Sequence, residues 1–330
     1  MFIRLFKNTY PLQIALIILV LAAAWIPAFW NPVAAYTIQL PQQPLYSFMI
    51  KLHLLNSTAA NTIVAFCLIL FEAYLLNRIV NRYNLVSKTT SLPAFLYVLL
   101  MSYHPEALTI HPTLLVNLLT LIIIDNLFQS NDSPGNHQTI LSIGFVASLG
   151  TMLYFPLILI IPLFIFFIPA VSAKPLRETM IFIFGTIGPY FFLVFAYFMF
   201  GIITSEFSMY SGIFSSFPAF RFTFSIPEYI TLGVLTIVFL VAVLNISATL
   251  FENIISTRRK YIFLLIMIPM LIIAALLSNR PLSDGMVAIF PASTILISKY
   301  LSGFRKRLIP DLLIICLIIC IVMLKISYYA

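Results

Sequence analysis

Acidic side chains are scarce in this sequence: ten Asp and Glu stand among 330 residues, and Asp, Glu, Lys and Arg together make only 8% of the chain. A soluble globular protein carries about 25% charged residues, so a water-borne fold is excluded. Glycine is rare too, at ten residues, and neither GxGxxG nor GxxxxGKS/T occurs, so no nucleotide-binding loop is indicated. GxSxG and HExxH are missing as well. The three cysteines, Cys67, Cys316 and Cys320, all lie in apolar runs, where they act as small hydrophobes. Cys316 and Cys320 share a helical face but have no further partner for zinc. No disulfide, metal or other cofactor is expected, and nucleic acid is not an expected partner.

What the chain has in abundance is apolar surface. Hydrophobic residues make 62% of it, including 31 Phe and 16 Tyr, and the mean hydropathy is +1.08. Apolar runs recur at 12–30, 60–77, 91–103, 112–128, 139–153, 156–172, 179–200, 229–248, 261–278, 286–300 and 310–327. A helix of about 20 residues crosses the hydrocarbon core of a bilayer, and no soluble-sized gap separates the runs. These features predict an all-α protein, a polytopic bundle of about 11 transmembrane helices in a single domain spanning 1–330. The third and fifth runs are short, so 91–128 and 139–172 are alternatively re-entrant hairpins with tips at His104–His111 and Tyr154–Pro156. The first run, 19 residues long behind Arg4 and Lys7, exceeds a signal-peptide core of about 7–15 residues and reads as an uncleaved helix.

Basic residues then set the sides. Alternation from a cytoplasmic N-terminus places fourteen of the 18 Lys and Arg inside, as the positive-inside rule expects. Lys51, Arg221, Arg280 and Lys325 remain outside. The inside loops are short and suit anionic headgroups rather than a soluble active site.

The outward face carries the candidate chemistry. Within SYHPEALTIHP, residues 102–112, His104, Glu106 and His111 form a short connection that is wet or lines a pocket. Segment 31–58 carries Lys51 and His53 but no acid. In the long segment 201–228, Phe207, Tyr210, Phe214 and Phe217 make one apolar helical stripe, followed by Phe220, Phe222 and Phe224 alternating around Arg221. Such a helix lies in the membrane interface; Arg221 either meets a lipid phosphate or snorkels from an aromatic belt. In SNRPLSDG, 278–285, Arg280 and Asp284 flank Pro281 and either converge on a ligand or stiffen a turn. Transfer of a sugar from a lipid phosphate needs a carboxylate or histidine to take the acceptor's proton and a cation on the departing phosphate. His53, His104, Glu106 and His111 lack the regular ligand spacing of a metal site.

Inside the apolar runs, Glu72 stands in IVAFCLILFEAYLLN. An intramembrane carboxylate is costly and defaults to a functional hypothesis; the alternative is that it snorkels or meets Arg78. No ladder of acids and bases, internal repeat, inverted pair of broken helices or GxxxG pattern favours a transporter.

Three phrases carry a resemblance: HPTLLVNLLTLIIIDNL, then SIGFVASLGTMLYFPLILIIPLFIFFI with KPLRE and FGTIGPYFFLVFAYFMFG, then SDGMVAIFPASTILISKYL. Over 91–301 the chain resembles a family of polytopic inner-membrane proteins of Bacteroidota. That family is in turn similar to the C-type, polyprenyl-phosphate-sugar-dependent glycosyltransferases and to polymerase-like proteins of exopolysaccharide synthesis. The resemblance implies a helix bundle with an outward cavity at the lipid boundary, acting on a polyprenyl-phosphate-linked sugar at the periplasmic face of the bacterial inner membrane. C-type enzymes place a catalytic acid in the first outward loop, and 31–58 has none. The catalytic role therefore falls to Glu106 or Asp284, with Arg221 or Arg280 on the phosphate and His53, His104 and His111 as further substrate contacts. The alternatives are a noncatalytic membrane subunit of an envelope assembly or protein export complex, and a lipid or solute transporter that depends on Glu72.

Overall fold

A computed structural model describes residues 6, 11–30, 43–51, 57–86, 89–103, 108–133, 135–171, 174–201, 225–278, 282–304 and 308–329. Every regular element among them is helical. We number the α-helices α1 Pro11–Trp30, α2 Pro44–Lys51, α3 Thr58–Arg82, α4 Leu92–Met101, α5 Pro112–Asp132, α6 His137–Leu153, α7 Ile160–Val171, α8 Pro175–Met199, α9 Ile226–Ala248, α10 Ile255–Leu276, α11 Leu282–Val287, α12 Phe290–Ser302 and α13 Leu308–Tyr329. Each apolar run of the sequence falls largely on helix among the described residues, and α2 adds a short helix inside the acid-free segment 31–58. By length and composition α1, α3, α5, α8, α9, α10 and α13 qualify as membrane spans. The chain is a multi-pass membrane protein.

Its outer surface fits hydrocarbon. Phe184, Phe191, Phe192, Phe195 and Phe198 on α8 and Phe166 on α7 are exposed. Contiguous apolar surface of this kind is rare on a protein that meets water. In the most hydrophobic windows, α5 and α10 are 56% and 50% buried, whereas α8 is 17% and α9 is 22% buried. Helices α5 and α10 therefore form the centre and α8 and α9 the rim.

Helix α4 is shorter than the crossing expected at 91–103. Its ten residues are all buried, yet they rise only about 15 Å, half of a hydrocarbon core about 30 Å thick. Pro93 sits in its first turn and Ser102 caps its end. It packs against α1, α3 and α12, so an element apolar all round is enclosed by protein. Parallel helices α3 and α5 meet at Arg82 and Asp125. From that level α5 runs back about 20 Å to Pro112, whereas α3 continues for about 36 Å to Thr58. Helix α5 is itself long enough to cross, so the ten-residue α4 is the short arm of this pair.

The second hairpin turns where Tyr154 adopts an extended conformation before Pro156 and a 3-10 segment, Phe155–Leu159. A Cβ at Gly150 would lie 2.6 Å from Leu157 Cδ2, so the missing side chain lets the turn fold back. Tyr154 is fully buried and donates to the Ala274 carbonyl at 3.4 Å. Helices α6 and α8 cross through paired glycines: a Cβ on Gly144 would overlap the Phe182 carbonyl, and one on Gly185 the Leu141 carbonyl. This is the close approach that small residues permit in bilayers, reached without a GxxxG pattern.

After α10 the chain returns through α11 and α12, with a break at Ala288 and Ile289. Pro291 causes it. Proline has no N–H, so the carbonyl four residues earlier, that of Val287, loses its helical partner. Asn117 on α5 supplies the replacement, donating from Nδ2 at 3.2 Å. Two half-length elements, α4 and α12, thus pack side by side in the interior, a feature that the sequence alone does not announce.

Candidate functional site

One end of the bundle carries the basic residues Arg78, Arg82, Lys174, Arg177, Arg258, Arg259, Lys260 and Lys299. It is stapled rather than open. Lys260 donates to Asp132 Oδ2 and Ser256 to Asp132 Oδ1, each at 2.6 Å. The Lys260 ammonium also lies 4.5 Å from the centre of the Tyr83 ring. Tyr83 in turn donates to the Asp125 carbonyl at 3.0 Å; burial first, then the Asp125 carboxylate, hold its phenol above the ordinary value. Tyr261 bonds the Leu85 carbonyl. These contacts join α3, α5 and α10. A wide apolar groove of about 560 Å³ lies between α7 and α10, lined by Leu163, Phe166, Phe167, Ile266 and Met270, with Arg259 at its basic end.

The far end holds the tip of the first hairpin. Trp25 Nε1 donates to Ser102 Oγ at 3.3 Å, and Tyr46 on α2 donates to the Ile110 carbonyl at 3.3 Å. The Tyr103 and Phe290 rings meet edge to face at 5.4 Å. These three contacts bring α1, α2 and the start of α12 onto the tip. Helix α11 packs on α5, so the helix that carries Asp284 adjoins the hairpin that carries His111. Lys325 on α13 is buried here and bonds the Ala24 carbonyl.

Of the residues nominated by sequence, His111 is 1% exposed, which removes the wet alternative. It is the N-cap of α5, and its Nδ1 lies 3.1 Å from the Thr109 carbonyl. Asp284 is on α11. Glu106, His104, His53, Arg221 and Arg280 lie outside the described residues, as does the Phe-rich stretch 202–224. Tyr103 and Leu108, which flank His104 and Glu106, and α11, which follows Arg280, belong to the tip and its neighbours. Glu228, in the first turn of α9, is engaged as a helix cap, its carboxylate accepting from the Ser225 N–H at 2.5 Å.

Glu72 does not snorkel to Arg78. Its side chain is fully buried near the middle of α3, while Arg78 is exposed. Tyr97 on α4 donates to Glu72 Oε2 at 2.7 Å. Asn117 Nδ2 then donates to Tyr97 Oη at 3.3 Å as well as to the Val287 carbonyl. One polar cluster therefore joins α3, α4, α5 and α11, and no ion-pair partner for Glu72 occurs among the described residues. Tyr97 and Asn117 were missed in the sequence. Thr113, Asn117 and Thr120 recur at a helical spacing within HPTLLVNLLTL, which was the legible sign. Among the described residues no group of three or more His, Cys, Asp or Glu could hold a metal ion.

Residues 37–330 match a family described as a family of unknown function, DUF6427. The chain belongs to that family. Neither the curated proteins nor the solved structures give a match. In this DUF6427 chain the matched region covers α2 to α13, and with them both the hairpin tip and the Glu72 cluster.

Proposed function

We propose that this chain binds a lipid-linked sugar at the hairpin tip and acts there as a C-type glycosyltransferase-like protein of the bacterial inner membrane. One observation carries the reading: Tyr103, shortly before Glu106 in sequence, packs on Phe290 at the start of α12, and α11, which carries Asp284, packs on α5, whose N-cap is His111, at the end away from the basic cluster. By the positive-inside rule that end faces the periplasm. In the reaction, Glu106 or Asp284 takes the proton of the acceptor hydroxyl as its oxygen bonds the anomeric carbon. The bond from that carbon to the polyprenyl phosphate breaks, and Arg221 or Arg280 holds the departing phosphate.

The test is transfer from a radiolabelled polyprenyl-phosphate sugar in membranes containing the protein. Product is expected with the wild type and lost in both Glu106→Gln and Asp284→Asn, or in the one that is the base. Equal label in wild-type, variant and empty membranes refutes the reading.

A second reading, a solute transporter, is favoured by the Glu72 cluster beside a broken helix, the arrangement that lines binding sites in several transporter types. It requires that Glu72→Gln abolish uptake by proteoliposomes.

A further inference from the structure

We infer that the Glu72–Asn117 cluster is a binding site for a monovalent alkali-metal cation, held within the bundle by oxygen atoms alone. Four side-chain oxygens there are buried without a hydrogen-bond partner: Glu72 Oε1, Thr113 Oγ1, Asn117 Oδ1 and Thr120 Oγ1. Their residues are at most 2% exposed. Buried polar atoms are nearly always paired, and each exception asks for an occupant or a reason.

The two threonines depart from the habit of this protein. Thr62, Thr186, Thr231, Thr236 and Thr294 each donate to the carbonyl four residues back in their own helix. Thr120 does not, and Thr113, the second residue of α5, has no carbonyl four residues back in its helix to take its proton. Positions 113, 117 and 120 recur at i, i+4 and i+7, which places them on one face of α5. That is the face whose Asn117 meets Tyr97 and Val287.

The chemistry of the vacancies is one-sided. Tyr97 spends its hydrogen on Glu72 Oε2, and Asn117 spends its amide hydrogens on Tyr97 Oη and the Val287 carbonyl. The Val287 contact fixes the amide orientation, leaving Oδ1 as an acceptor. What remains open is a carboxylate oxygen, an amide oxygen and hydroxyl oxygens, the ligand set of a hard cation. A single positive charge balances Glu72 and leaves the interior neutral. A divalent ion would leave a net charge in hydrocarbon, where charge is costly. Thr113 and Thr120 are about 10 Å apart along α5, too far for one ion to sit about 2.5 Å from both. The direct ligands are therefore Glu72, Asn117 and one threonine, with the other a step along the same face. The site is independent of sugar transfer.

The experiment measures thermal unfolding of the purified chain in nanodiscs with NaCl, KCl or choline chloride at equal ionic strength. Na+ or K+ should raise the wild-type midpoint by about 5 °C over choline, as a ligand bound only by the folded state does. The increment should vanish in Glu72→Gln and in the double variant Thr113→Val/Thr120→Val. In choline that double variant should unfold no earlier than wild type, because its lost hydroxyls had no protein partner; it carries the test should Glu72→Gln fail to fold. Identical midpoints in the three salts, or an increment that survives in the threonine double variant, overturn the assignment. A sugar-transfer assay plays no part in either result.

Discussion

The phenol of Tyr97 donates to Oε2 of Glu72 across 2.7 Å, with both side chains fully buried. A carboxyl group in that position has lost its water, and the Tyr97 hydroxyl is its chief protein donor. Tyr97→Phe removes that donor and should lower stability by about 1–3 kcal/mol, the cost of leaving a buried polar group unmatched. Glu72→Gln keeps an acceptor for the phenol and should cost less. Denaturant or thermal unfolding in one detergent orders the two.

Asn117 and Pro291 should be coupled. Replacing Asn117 with Leu strands the Val287 carbonyl and should destabilise by about 1–3 kcal/mol. In a Pro291→Ala background the restored backbone N–H serves that carbonyl, so the same Asn117→Leu change should cost less. A double-mutant cycle on unfolding midpoints reads the coupling, and strict additivity would count against the pairing.

The α6–α8 crossing admits no side chain at its contact point. Gly144→Val or Gly185→Val should destabilise by about 3 kcal/mol or prevent folding, since the added atoms meet backbone that cannot rotate away. Gly188→Ala lies on the same helix with nothing within 4 Å of its Cβ and should be neutral. Size-exclusion profiles of the three variants separate the outcomes.

Lys260 is 4% exposed and its partner Asp132 is 38% exposed. Lys260→Met leaves that carboxylate with Ser256 alone and also removes the cation over Tyr83, so a loss of about 1–3 kcal/mol is expected. Arg82→Met breaks a longer, more exposed pair at 3.5 Å and should cost at most about 1 kcal/mol.

The helix ends define two sides. In a background with Cys67, Cys316 and Cys320 replaced, Ser133→Cys and Asn253→Cys should react with an impermeant maleimide from the same side of the membrane. Phe200→Cys should react from the other.

Much of the helical architecture was legible because apolar runs of bilayer length leave little freedom: 12–30, 179–200, 229–248 and 310–327 match α1, α8, α9 and α13 closely. The short run 91–103 was ambiguous for a physical reason. An all-apolar segment looks the same whether hydrocarbon or protein surrounds it, and only packing shows that α4 is enclosed. The interior cluster was half visible. Glu72 stood out by cost, but its partner could not be found, since Tyr97 resembles any aromatic residue in an apolar helix and lies 25 positions away. The break before α12 was hidden because Pro291 reads as an ordinary first-turn proline until Asn117 is seen reaching its freed carbonyl. At the outward face, residue types were readable and convergence was not, because proximity between 103 and 290 is a property of the bundle rather than of either segment.

The brevity of α4 constrains the order in which the chain is assembled. A helix of half a bilayer's depth gives the insertion machinery no stable stop, so it must enter together with α5. One of its walls, α12, is encoded almost two hundred residues later. Until translation has passed residue 302, the interior of this protein is an unfinished room, and a ribosome that stalls before that point releases a chain whose wholly buried helix has lipid where a neighbour belongs.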